Sequence, residues 1–165
     1  MAGKINFLGH PVHPMVIVYP LTFFTLTVVL DIIYLLHPNA LVGTLSYWSI
    51  GAGVISGLVA AVFGTADWIG LQSGTRAKRI GLWHGGVNVV TTLLFALSWL
   101  LRHGSPASPA LVAMIVSFAA FAFSLIAAWL GGELVYRLSV GVDEGAHVNS
   151  PSSFSDRPAS ANKRS

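Results

Sequence analysis

Imidazoles and carboxylates carry most of the chemistry that this chain can offer. Six histidines and six acidic residues stand among 165 positions, and there is no cysteine. The missing thiol removes disulfides, thiolate metal sites, iron–sulfur ligation and cysteine nucleophiles together. Two histidines open the chain in Gly9-His10-Pro11-Val12-His13-Pro14, a third follows a tryptophan in Trp83-His84, and Asp67 closes Gly64-Thr65-Ala66-Asp67. Behind His84, Asn88, Thr91 and Thr92 recur at helical spacing, so one face of an otherwise apolar segment is polar. Asp31 lies inside an apolar run, and Glu133 follows Gly131-Gly132.

Two ligand chemistries suit this set. Neutral imidazoles at matched depth on facing helices can clamp a haem iron. His84 with His10 or His13 is then the candidate axial pair of a haem b, with Asp67 and Asn88 behind them and Phe23, Phe24 and Phe95 against the porphyrin. Alternatively, His10, His13, Asp67 and His84 hold a divalent metal such as zinc through mixed nitrogen and oxygen ligands. A third reading needs no cofactor: the histidines cap and hydrogen-bond helix ends near the membrane interface. Hydrolase chemistry is not expected, since there is no Gly-x-Ser-x-Gly elbow and no phosphate-binding glycine loop.

The elements that position these residues are membrane helices. Hydrophobic residues make up 54% of the chain and charged residues 9%, where a soluble domain carries about a quarter charged. A mean hydropathy of +0.71 means more apolar surface than a soluble core of this size can hide. Apolar stretches run at about 14–36, 46–71, 80–101 and 109–131, each near the roughly 20 residues that cross about 30 Å of hydrocarbon. The expected fold is an all-α, four-span, up-and-down bundle with connections at 37–45, 72–79 and 102–108. Residues 1–13 form a segment before it, without the apolar core of a removable signal peptide, and 141–165 form a polar, Ser/Pro-rich, disordered tail.

The formal charge is +3, but the basic residues flank hydrophobic runs, which reads as a topology signal and not as a nucleic-acid surface. Placing both termini in the cytoplasm puts Lys4, Arg76, Lys78, Arg79, Arg137, Arg157, Lys163 and Arg164 there, and leaves only Arg102 outside. His10, His13, Asp67, His84 and Glu133 then all approach the cytoplasmic end. Arg102, His37 and His103 read as outer interfacial residues. Asp31 falls in the outer half of the first helix, satisfied by Ser46 or Tyr47, protonated, or serving as one end of a proton path to Asp67. Glu133, carried away from the packing face by regular helix, is expected to pair with Arg137 at i,i+4. Pro11 and Pro14 are expected to keep His10 and His13 off the helix, with Pro14 at its first position. Pro20 should bend the first helix by freeing the carbonyl of Val16. Small residues form packing stripes: Gly53, Gly57, Ala60, Gly64 and Asp67 on the second helix, and Ala113, Ser117, Ala120, Ser124, Ala127 and Gly131 on the fourth.

Gly9-His-Pro-Val-His-Pro14, Asp31, Gly64-Thr-Ala-Asp67, Trp83-His84 and Gly131-Gly-Glu-Leu-Val-Tyr136 followed by Gly141-Val142 resemble a bacterial family of predicted membrane proteins catalogued as domain of unknown function 2231. The likeness spans roughly residues 6–143 and implies the same four-helix domain. It also implies an association with redox modules of Rieske and cytochrome c type, hence haem or electron-transfer chemistry by analogy. No such module is fused here, so a redox protein or cytochrome would be a separate partner.

The function expected is a multi-pass protein of the bacterial inner membrane, haem b-binding or otherwise redox-associated and not an independent enzyme. The alternatives are a structural or accessory subunit, a small transporter, or a divalent-metal-binding membrane protein. Its expected partners are the lipid bilayer, a separate redox protein and a further copy of the chain, not nucleic acid.

Overall fold

The computed structural model describes residues 5–161. Lys4, Lys163 and Arg164, which entered the topology argument, lie outside the described residues. Four helical segments are long and apolar enough to cross a membrane: Val12–Leu36, Ala40–Gly70, Arg76–Arg102 and Leu111–Arg137. Before them, β1 (Asn6–Phe7) pairs antiparallel with β2 (His10–Pro11) through a turn in which Gly9 has φ +82°, a conformation that glycine adopts without strain.

The first crossing is two helices, α1 (Val12–Val16) and α2 (Val18–Leu36). Pro20 lacks the N–H that the Val16 carbonyl would receive, and the break falls at Ile17, between that carbonyl and the proline. The expectation that His13 precedes the helix is corrected. Helix begins at Val12, and Pro14 sits in a first turn whose N–H groups have no helical acceptor anyway, so it starts a helix without breaking one.

The second crossing, α3 (Ala40–Gly70), begins earlier than the apolar run suggests because the Asn39 side chain accepts from the Leu41 and Val42 amides at 2.9 and 3.4 Å. At 31 residues it is about 46 Å long, so it tilts or projects beyond a hydrocarbon layer of about 30 Å. Thr75 caps α4 (Arg76–Arg102) by accepting from Lys78 N at 3.2 Å. The last crossing, α5 (Leu111–Gly132), runs into a π-helical turn at Glu133–Arg137. From 138 to 161 the described chain makes turns without helix or strand, and Ser153 folds back against Gly9.

The small-residue stripes face inward as expected: Gly53, Ala60, Ala113, Ser117, Ala120, Ser124 and Ala127 are all buried. Leucines, isoleucines and valines cover the outside, the inverse of a soluble bundle and the surface that lipid would wet.

The chain is also two helical hairpins of related sequence. Leu58-Val-Ala-Ala-Val-Phe-Gly64 in α3 recurs as Leu125-Ile-Ala-Ala-Trp-Leu-Gly131 in α5. In the helices before them, residues at a common offset of 71 meet across the bundle, as Asp31 does with Arg102. The rings of Phe24 and Phe95 stack at 3.9 Å with an interplanar angle of 1°, and the rings of His13 and His84 stand 6.4 Å apart at 89°. Equivalent residues meet each other only on a two-fold axis, so an approximate axis runs along the bundle between two parallel repeats. Phe24, Ile50, Val54, Phe95 and Ala120 make the apolar core at its middle.

Candidate functional site: a histidine pair at one end of the bundle and a buried ion pair at the other

His13 and His84 are held in the same way by the two repeats. The ring of His13 lies 3.0 Å through Nδ1 from the Ala60 carbonyl, and that of His84 lies 2.9 Å through Nδ1 from the Ala127 carbonyl. A carbonyl can only accept, so Nδ1 carries the proton in both neutral rings and Nε2 carries the lone pair. The glycine one turn beyond each alanine makes room for the ring. A Cβ on Gly64 would stand 2.8 Å from His13 Cε1, and one on Gly131 would stand 3.2 Å from His84 Cε1. Asn88 reaches back along α4, donating through Nδ2 to His84 Nε2 at 3.2 Å and to the His84 carbonyl at 2.9 Å.

The other expected members of this cluster divide. Asp67 is half-buried on α3 in the turn beyond Gly64. His10 stands in the exposed strand β2, paired with Phe7, with Nε2 3.4 Å from Ser153 Oγ. Among the described residues no three of His, Asp and Glu converge as a metal site would need. The set His10, His13, Asp67 and His84 is therefore not assembled around one point. Glu133 is likewise corrected. Its Oε2 accepts from Arg76 Nη2 at 2.6 Å, across the bundle end and not along its own helix, because the turn after Gly132 is π-helical and no longer sets i beside i+4.

Arg102 is the largest departure from expectation. Its side chain is 0% exposed, as is that of Asp31. Nη1 donates to Oδ1 at 2.7 Å and Nη2 to Oδ2 at 2.6 Å, a two-pronged match of guanidinium to carboxylate. Ser46 donates to Asp31 at 2.6 Å, as foreseen, and accepts from Arg102 at 2.8 Å. Ser98 and Ser117 accept from the remaining guanidinium N–H groups at 3.2 and 2.9 Å. Tyr47 is engaged elsewhere, 3.0 Å from His103 Nδ1. The sequence signals that could have located Arg102 are the shared 71-residue offset and its place on the stripe that continues Thr91, Phe95 and Ser98. Along α4 the pair lies about 27 Å beyond His84 at 1.5 Å per residue, nearly the full thickness of the hydrocarbon. The Phe24–Phe95 layer between them is apolar, so Asp31 and Asp67 do not share a polar interior.

Fold and surface together define a four-span integral membrane protein with a polar site near each end of the bundle. The chain belongs to the family described as predicted membrane protein (DUF2231), whose model matches residues 9–144. No curated protein and no solved structure matches it.

Proposed function

We propose that this protein is a haem b-binding, electron-transferring subunit of the bacterial inner membrane, in which His13 and His84 would hold the haem. The observation that carries the reading is the histidine pair. Imidazole–metal bonds are about 2 Å long and a ring centre lies about 1 Å behind its nitrogen, so two imidazoles sharing an iron have centres roughly 6 Å apart. The separation of 6.4 Å agrees with that, and both rings present Nε2 as acceptor. A flat ligand would lie against small residues here. Further along the same helices, a Cβ on Gly57 would meet nothing closer than Pro20 Cβ at 3.7 Å and Thr92 Oγ1 at 3.8 Å. The buried Thr91 Oγ1 has no hydrogen-bond partner among the described residues.

A haem would supply reversible one-electron transfer at its iron. The chain's own residues do the rest. Ala60 and Ala127 hold the two rings by Nδ1 and fix their orientation. Gly64 and Gly131 let the rings seat against α3 and α5. Asn88 would keep its bond to the His84 carbonyl and leave Nε2 free to hold the group. The apolar layer of Phe24 and Phe95 closes the site from the far side of the membrane. The basic residues support an orientation with both termini in the cytoplasm, which would put the site at the cytoplasmic end.

The test is optical. Protein purified from haem-replete bacterial membranes should show a Soret band and a reduced-minus-oxidised b-type spectrum, with iron measured on the same sample. His13→Ala and His84→Ala should each abolish the band while the protein still accumulates, and His10→Ala should keep it. A colourless preparation would overturn the reading. A second reading, an accessory subunit whose histidines only pin α1 to α3 and α4 to α5, is favoured by the carbonyl bond that each ring already makes. It predicts the colourless, iron-free and monodisperse outcome.

A further inference from the structure

We propose that the α3–α4 connection seats one anionic phospholipid, its phosphate at Arg79 and Lys78 and one acyl chain along the outer face of α4. This inference is independent of the haem reading. A shallow open cleft of about 260 Å³ lies at the bundle end, lined by Trp68, Gly74, Thr75, Lys78, Arg79 and Leu82. Three cations stand within four positions there, and their situations differ. Arg76 is neutralised by Glu133 at 2.6 Å. Lys78 is pinned at the cleft wall, with Nζ donating to the Trp68 carbonyl at 2.7 Å and lying 3.9 Å from the centre of the Trp68 ring. Among the described residues no carboxylate forms a salt bridge with it. Arg79 is exposed and has no carboxylate partner among the described residues. A fixed ammonium beside a free guanidinium matches the doubly accepting oxygens of a phosphodiester.

The apolar half of the occupant is argued from the surface beneath. Leu82, on the cleft wall, heads an exposed stripe that continues through Gly86, Val89, Leu93 and Leu100 at helical spacing down the lipid-facing side of α4. Gly85 and Gly86 have nothing within 4 Å of where a Cβ would stand. They leave a groove about two turns below Arg79, in an otherwise leucine-studded face. A free phosphate would use the cations and have no use for the groove, whereas a phospholipid uses both. Basic pockets of this kind at helix ends are where anionic headgroups concentrate in bilayers.

The experiment is native mass spectrometry of the whole protein in mild detergent, titrated with phosphatidylglycerol or phosphatidylcholine, and separately with inorganic phosphate. The proposal expects one tightly retained phosphatidylglycerol per chain and weaker phosphatidylcholine retention. Arg79→Ala should lower the phosphatidylglycerol affinity by about fivefold, the usual effect of one cation at an anionic surface, and Arg79→Lys should restore most of it. Gly86→Leu, which fills the groove without touching a charge, should weaken lipid retention and leave any phosphate binding unchanged. Arg137→Ala, an exposed cation elsewhere, should behave as wild type. Equal retention of the two lipids, an equal loss in Arg137→Ala, or wild-type binding by Arg79→Ala would each overturn the proposal. Phosphate binding that competes with lipid and ignores Gly86→Leu would overturn it in favour of a free-anion site.

Discussion

Arg102 and Asp31 show how much a single buried pair can govern. Two charges without solvent are stable only when each is answered, and here the guanidinium meets both carboxylate oxygens and three serine hydroxyls. Removing one partner leaves the other charge stranded, which costs about 3–5 kcal/mol, whereas replacing both by apolar residues of similar volume is often close to neutral. Asp31→Leu and Arg102→Leu alone should therefore each lower thermal stability in detergent sharply, read as the fraction of monodisperse protein after heating. The double variant should recover a large part of the loss. Equal losses in all three would show that the serines, and not the opposite charge, hold each residue.

Helix α3 illustrates how small residues position a site. Helical glycines here are not interchangeable: a Cβ on Gly64 in α3 would enter the His13 ring at 2.8 Å, whereas one on Gly86 in α4 would meet open space. Gly64→Ala should push His13 off the Ala60 carbonyl and lower stability by about 1–3 kcal/mol, the usual range for overpacking. Gly131→Ala, with 3.2 Å to His84, should cost less because the neighbour need give by only a few tenths of an ångström. Gly86→Ala should be neutral or slightly stabilising, since alanine is favoured over glycine inside a helix by up to about 1 kcal/mol. Comparing the three by thermal unfolding in one detergent checks the order; a Gly86→Ala loss as large as that of Gly64→Ala would contradict it.

The whole molecule is organised by its approximate two-fold axis. At one end the repeats contribute the same residue, His13 and His84, and at the other they contribute opposite charges, Asp31 and Arg102. If the positions are equivalent, exchanging the charges should be tolerated better than losing either. The double variant Asp31→Arg with Arg102→Asp should recover stability that each single change removes, because the two residues meet on the axis with serines on both sides. Failure of the exchange to improve on either single change would mean that the surrounding hydroxyls discriminate the two ends of the ion pair.

How much of this was legible in the order of residues depended on range. Four crossings, the inward stripes of small residues and the polar face His84-Asn88-Thr91 follow from hydropathy and helical period, which are local properties. Helix starts were displaced where a cap outweighed the apolar run, as at Asn39, and where a proline in the first turn began a helix and did not delay it, as at Pro14. The repeat of Leu58–Gly64 in Leu125–Gly131 is also present in the sequence, but only the packed hairpins single it out, because its meaning depends on which residues face the axis. Composition by itself determined a helical membrane domain, because lipid permits few other ways to satisfy a backbone, and left histidine as the main candidate for ligand chemistry. Only the tertiary structure decided that His13, and not His10, stands opposite His84, and that Arg102 turns inward to Asp31. Pairing across 71 residues is set by how two hairpins pack, and no local pattern encodes that distance.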